Sequence, residues 1–465
     1  MSKLFIFGIG GTGSRVLRSL TMLLATGVKF NADEIVPIVI DPDAANADLT
    51  RTISLLNTYS AIRNELKFSG DNQNQFFHTG IDMIMPNFTL HIHDTDNKTF
   101  KQFIDYSSMS KANKAFAKML FSEKNLESSM EVGFKGNPNI GSVVLNQIVS
   151  SPGFENFANN FTAGDKIFII SSIFGGTGAS GFPLLLKTLR TGQSFPNHSI
   201  INNAVIGAVT VLPYFRVQQD ENSEIDSSTF ISKAKSALAY YEQNIARNNS
   251  IDALYYLADD VAKSYENHEG GTMQRNDAHL IEFLSATAIV DFVNSTFTDG
   301  ITANKELGIK DETSAVSFNS FYKRMRDLLY SPMTQFTLMS NALTYKLDTY
   351  SSKTFAANKG QFEDLYDGLF FSQLSSFFAR YHEWLKEMKG NTRSLDLFNM
   401  ECGDKPFELV TGVKPKRVMS LHSDYELVTD RLNKAVNKCK SKSTADKFLE
   451  MFFLGTKGLV EDKLK

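Results

Sequence analysis

Twice in this chain a run of apolar residues stops at a cluster of glycines and resumes at helical spacing. Leu4-Phe-Ile-Phe7 runs into Gly8-Ile-Gly-Gly-Thr-Gly-Ser14 and then Val16, Leu17, Leu20, Leu23 and Leu24. Lys166-Ile-Phe-Ile-Ile170 leads to Phe174-Gly-Gly-Thr-Gly-Ala-Ser-Gly181 and then Leu184, Leu185, Leu186 and Leu189. Each unit reads as a buried strand, a tight turn and a helix. At such a turn the missing Cβ atoms let backbone N–H groups approach an anion at a helix N-terminus, whose dipole favours negative charge.

Two further buried strands are expected at Ile35–Ile40 and Ala204–Leu212, with helical segments between several of the four. Strands alternating with helices predict an α/β fold with a doubly wound parallel sheet, whose ligands bind at the carboxyl ends of the strands. Around Ala278 to Val293 the residues are apolar on nearly all sides, as in a central helix buried within the protein. After Asn294 Phe-rich helical patterns occupy about 314–389, and only Phe407–Val410 and Arg417–Leu421 look extended. The expected organisation is a nucleotide-binding domain over 1–277, a core helix and connector over 278–298, and a mostly helical α+β C-terminal domain over 299–465. An insertion of about 47–131 would elaborate the first domain, with a candidate strand at Phe88–His93 and a helix around Lys111–Phe121.

Composition narrows the function classes. The 465 residues are 42% hydrophobic and 21% charged, near the globular average. A net charge of −3, spread along the chain, argues against a dedicated nucleic-acid patch. Lys434, Lys438, Lys440 and Lys442 read as a solvated helix end. Cys402 and Cys439 stand far apart without zinc-type spacing, so reduced thiols in a cytoplasmic protein are expected. The N-terminus lacks the pattern of a signal peptide, and runs such as Ile167–Ile170 are too short to span a membrane.

The first glycine turn alone does not choose its ligand, because Gly8, Gly10 and Gly13 also satisfy the dinucleotide pattern GxGxxG. Against that reading, Asp41 closes the second strand over thirty residues after Gly8, later than the roughly 20 expected for a ribose carboxylate. A simple dinucleotide domain also has no need of the second turn. An NAD(P)-dependent oxidoreductase stands as the alternative from another enzyme class.

The second turn resembles the GGGTG signature of the tubulin/FtsZ superfamily, with Phe174 where the first glycine is usual. Further matches follow in family order. Gly8–Arg15 resembles the first phosphate loop, and Asp41-Pro-Asp-Ala-Ala45 the segment after the second strand. Gly133–Gly141 is similar to the loop around the terminal phosphate, Val209–Tyr214 to the turn beside the ribose, and Arg275–Leu280 to the start of the central helix. Taken singly, Gly136–Pro138 is an ordinary Asn-Pro turn and Asn276 or Asp277 a helix cap; their ordered co-occurrence carries the resemblance over roughly residues 1–300.

The resemblance implies a divergent bacterial or phage tubulin-like protein that holds GTP or GDP with Mg²⁺. Gly10, Gly11, Thr12, Gly13, Ser14, Gly136, Asn137, Pro138, Gly175, Gly176, Thr177, Gly178 and Ala179 would cradle phosphates. Asp43 would lie near the metal, and Asn276 and Asp277 would share guanine recognition. It also implies head-to-tail self-association into a homopolymer, with GTP hydrolysed where an acidic loop of one subunit meets the nucleotide of the next.

The chain departs from that pattern in two places. No Asn-x-Asp follows Phe292; Asp299 sits about where the first acidic residue would fall and is the catalytic candidate, with Glu306 second and Asp291 read as structural. Arg216–Glu221 lacks the family's sugar-contacting sequence, leaving Asp220, Glu221 and Glu224 as candidates. The missing Asn-x-Asp pattern favours a second function class, a non-polymerising GTP-binding switch or scaffold whose insertion or C-terminal domain engages a protein partner.

Overall fold

The computed structural model describes residues 2–464 except 44, 69–70, 96, 131–133, 135–136, 218–229, 261–263, 266–270, 274, 299, 311–312, 353–354, 359–360 and 417–422. Seven strands form one sheet: β1 (Lys3–Ile9), β2 (Glu34–Ile40), β3 (Gly80–Ile81), β4 (Lys166–Ser172), β5 (Val205–Val211), β6 (Ala253–Leu257) and β7 (Ala303–Glu306). Every pairing is parallel, in the order β3-β2-β1-β4-β5-β6-β7. Beyond their first residues β1, β2, β4 and β5 are buried throughout, as continuous apolar strands covered on both faces should be.

The chain moves outward one way from β1 and the other way from β4. Right-handed crossovers then set α1 (Gly10–Ala25) and α2 (Ala47–Glu65) on one face and α4 (Gly176–Thr191) on the other. α3 (Pro138–Leu145) packs on α4, and α5 (Leu280–Val293) on α1, β5 and β6. Every residue of α5 but Asp291 is buried. Its approach requires Gly207, where a Cβ would stand 2.6 Å from the Phe292 ring. The expected α/β class and central buried helix are therefore observed.

The C-terminal region is mostly helical. α6 (Lys323–Tyr345), α7 (Leu369–Lys389) and α8 (Thr444–Lys463) are its long members. α7 lies on α2 and is tied to α1 by Trp384, whose Nε1 donates to Ser19 Oγ at 3.2 Å. α8 reaches the loop after α2: Asp446 accepts from the Lys67 amide and Glu450 from the Gln73 amide. Among the described residues no helix is long and apolar enough to cross a membrane.

Several elements differ from expectation. Residues 47–65, expected to open an insertion, form the crossover helix α2, with Leu49, Leu55, Tyr59 and Ile62 buried. Phe88–His93 is not a strand: Pro86–Phe88 is a 3₁₀ turn with Asn87 and Phe88 at positive φ, and only Thr89 bridges to Val39. Phe407 likewise lies in a 3₁₀ turn, Pro406–Glu408, while Arg417–Leu421 falls outside the described residues. The polar strand β7, half-buried and exposed in alternation, gives no apolar signal in the sequence.

β1 and α1 meet at Gly8 and Gly13, where a Cβ on Gly13 would stand 2.3 Å from the Gly8 carbonyl carbon. Backbone against backbone leaves no flexible atom to yield. Gly13→Ala is expected to cost at least about 2 kcal/mol in urea denaturation, the scale of overpacking in a tight core. Gly308→Ala, where a Cβ meets open space, serves as control and should stay within about 0.5 kcal/mol.

Candidate functional site

The two glycine turns follow β1 and β4, the neighbours between which the strand order reverses, where a crevice opens at the carboxyl ends. They face each other. Gly10 has φ +68°, and a Cβ there would lie 3.5 Å from Cβ of Thr177. Gly178 packs so tightly on β4 that its Cβ would be 2.7 Å from the Ser172 carbonyl oxygen.

Neither α1 nor α4 has a side-chain cap; α6 and α7 also lack one, but only α1 and α4 of these four start at the crevice. A helix start leaves its first N–H groups without intrahelical partners. Two uncapped starts at one crevice therefore present unsatisfied donors and two positive dipole ends to the same space. Ser14, wholly buried, has no hydrogen-bond partner for its Oγ, and neither have Ser171 and Thr210, register partners near the carboxyl ends of β4 and β5. This donor-rich cradle of small residues fits a phosphate-bearing ligand.

A third segment packs on the helix that follows the second turn. Asn137 caps α3 by accepting from the Asn139 and Ile140 amides, with Pro138 at the first helical position; Gly136 lies outside the described residues. α3 fits α4 through Gly141, whose Cβ would come 2.2 Å from Ser180 Oγ.

The carboxyl end of β2 carries acid. Asp41 is buried, which pushes its carboxyl up to about 7; the Asp43 amide, donating at 3.1 Å, pulls the other way, while the Asp43 and Asp48 charges add to the rise. Asp43 accepts from the amides of Ala45 at 3.2 Å and Gly271 at 2.7 Å, which brings the segment before α5 onto the β2 loop. Among the described residues no group of three His, Cys, Asp or Glu is arranged to hold a metal. Asp43 and Asp41 are the carboxylates here that could take one or two positions around a Mg²⁺ ion.

One turn into α1, Arg15 is 6% exposed and sits among Glu282 at 2.6 Å, Asp48 at 3.2 Å and the Tyr214 hydroxyl at 2.9 Å. Burial works against its charge, but Tyr214, Glu282 and Asp48 more than offset that, so the guanidinium stays ionised. Glu282 also accepts from Tyr214 and from the His279 amide, closing the capping box of α5. Asp48 takes both the backbone N–H and the side-chain amide of Asn276, at 3.0 and 2.8 Å, while Asp277 is exposed. Arg18 pairs with Glu387 of α7 at 2.8 Å, Arg51 pairs with the same carboxylate, and the Ala278 amide donates to it.

Sequence reasoning quoted Arg15 and Tyr214 within motifs but gave them no role, and missed Asp48, Glu282 and Glu387. The readable signal was His279-Leu-Ile-Glu282, a charged residue at the third position of an otherwise apolar helix.

The acidic candidates fare differently. Asp299, Asp220, Glu221 and Glu224 lie outside the described residues. Glu306 is exposed on the edge strand β7. Asp291 is held by Tyr255, Lys305 and Arg324, each at 2.7 Å; burial would raise its pKa, but these partners bring it below the usual carboxylate range. Phe174, in place of the signature's first glycine, turns its ring into a cluster with Tyr214, Phe215 and Phe230.

No family model matches the chain, and no curated protein does. Among solved structures, CetZ from Methanosaeta thermophila strain DSM 6194 is similar at 16% identity over 56% of this chain and 46% of that one, with a TM-score of 0.28. CetZ2 from Haloferax volcanii, solved as a GTPγS-bound protofilament, gives 14% over 63% and 58%, TM-score 0.30. CetZ1 from Haloferax volcanii, solved as a GDP-bound monomer, gives 15% over 55% and 51%, TM-score 0.26. The chain spans about half the length of the solved structures it matches.

Two measurements test the site's electrostatics. Arg15→Met strands two buried carboxylates and should cost about 3–5 kcal/mol, whereas adding Glu282→Met should recover part of that loss; a double variant as unstable as the sum of the singles would contradict the pairing. Asp41 titrates near 7 in the fold but near 4 in an unfolded chain, so its stabilising contribution is complete below about pH 4 and is lost as pH rises to 7. In nucleotide-free protein Asp41→Asn should match wild type near pH 4 and exceed it near pH 8, on the order of a few kcal/mol, in urea titrations.

Proposed function

We propose that this chain binds GTP between the two glycine turns and that copies of it stack head to tail through the bound nucleotide. The observation that carries the nucleotide reading is the meeting of two uncapped helix starts across the β1–β4 crevice, close enough that a Cβ on Gly10 would lie 3.5 Å from Thr177. In that reading the first-turn amides of α1 and α4 receive the phosphates. Asp43 with Asp41 would hold Mg²⁺, which neutralises phosphate charge.

The choice of guanine, and of stacking, is supported by the tubulin/FtsZ-like order of the motifs from Gly8 to Leu280. In a stack, Asp299 or Glu306 of one copy would orient water at the nucleotide of the next. A second reading, a GTP-binding switch that does not polymerise, is favoured by the lack of an Asn-x-Asp pattern after Phe292.

Mass spectrometry of the purified protein should find guanine nucleotide; retained nicotinamide dinucleotide would overturn the reading in favour of an oxidoreductase. Gly10→Ala forces a side chain into a left-handed turn against Thr177 and should weaken binding of a fluorescent GTP analogue at least about tenfold. Sedimentation with GTP, GDP and a slowly hydrolysed analogue should pellet the protein with GTP and the analogue. Protein that binds GTP yet stays monomeric in all three would establish the switch instead.

A further inference from the structure

A separate cavity of about 460 Å³ lies between α1, α2, α7 and the segment before α5. Arg18, Arg51, Arg275, Arg380 and Glu383 line it, and none of the glycine-turn residues does. Arg18 and Arg51 share Glu387 just behind the wall, and Arg275 pairs with Glu383 at 2.8 Å. Asp48, 3.9 Å from Arg51, is a third carboxylate, so four guanidinium groups face three. Arg380 is the one left over: its Nη1 donates to Thr58 Oγ1 at 3.2 Å, and no carboxylate among the described residues lies within ion-pair distance of it.

We infer that this cavity is a second ligand site that takes a phosphate monoester carried on a small apolar body. One guanidinium left without a carboxylate partner, set among three others, matches the anionic head of a phosphate monoester near neutral pH. Guanidinium forks bind phosphate oxygens bidentately, and Arg51 and Arg275 are already held in place by their carboxylates. Met22 and Leu55 add apolar surface to the lining, and the volume suits a small ligand. Burial and the nearby charge of Arg18 hold the Arg380 guanidinium below its ordinary range, although Glu383 opposes this; an incoming dianion relieves that repulsion.

The test uses phenyl phosphate on the full chain, read by calorimetry and by the shift in unfolding midpoint. Wild type should bind one equivalent, and inorganic phosphate more weakly. Arg380→Gln should weaken phenyl phosphate at least tenfold while leaving GTP binding and the midpoint without ligand unchanged; Arg380→Lys, which keeps charge without the fork, should fall between. Gly10→Ala should leave phenyl phosphate binding unchanged. Absence of binding to wild type, or equal binding to Arg380→Gln, overturns the inference. So does a loss of binding in Gly10→Ala, which would put the phosphate in the glycine turns, and equal affinity for inorganic phosphate removes the apolar body. GTP binding is scored independently, so failure here and failure of the nucleotide reading remain distinguishable.

Discussion

Burying a guanidinium costs several kcal/mol of hydration, which is recovered only when partners of opposite charge are held at hydrogen-bond distance from several sides. Arg15 of α1 meets that condition with groups from three other parts of the chain: Asp48 of α2, Tyr214 after β5 and Glu282 of α5. None of these elements is adjacent in sequence to the next. The pairing therefore fixes the first turn of α1, and with it the Gly10–Ser14 loop, relative to the central helix.

The same face of α1 continues the linkage outward. Arg18 reaches Glu387 and Ser19 accepts from Trp384, so α7 is fastened one turn below Arg15. Glu387 in turn accepts from the Ala278 amide immediately before α5. Any displacement of the glycine turn along α1 must break buried ion pairs or carry α5 and α7 with it, and breaking a buried pair is the more expensive course. A site made of backbone amides thus rests on a charged framework that reaches the C-terminal helices.

What the sequence revealed follows from how each feature is encoded. Continuous apolar strands and glycine turns leave local signatures, so β1, β2, β4 and β5, both loops and the buried helix after Asn276 were readable from periodicity and breakers alone. β7 was not, because an edge strand needs no apolar run, and Ala-Asn-Lys-Glu carries none. Phe88–His93 misled in the opposite direction: its alternation of apolar and polar residues suggests a strand, yet positive φ at Asn87 and Phe88 turns the chain away. The ion pairs were invisible for a different reason. Arg15 and Glu282 lie 267 residues apart, and nothing local to either announces the other.

The disposition of charge also bears on how an anion would be held. Arg15, one turn into α1, is committed to carboxylates within the fold, as are Arg18 and Arg51 beyond it. At the glycine turns the compensating charge must then come from unsatisfied N–H groups and helix dipoles, which require close approach of the backbone and hence residues without a Cβ. Glycine at 10 and 11 would suit that requirement, whereas Gly13 and Gly178 are already demanded by packing against Gly8 and Ser172. The arginine-lined cavity follows the other strategy: fixed guanidinium forks and one uncommitted arginine replace backbone donors, so the two sites would recognise the same chemical group by independent means.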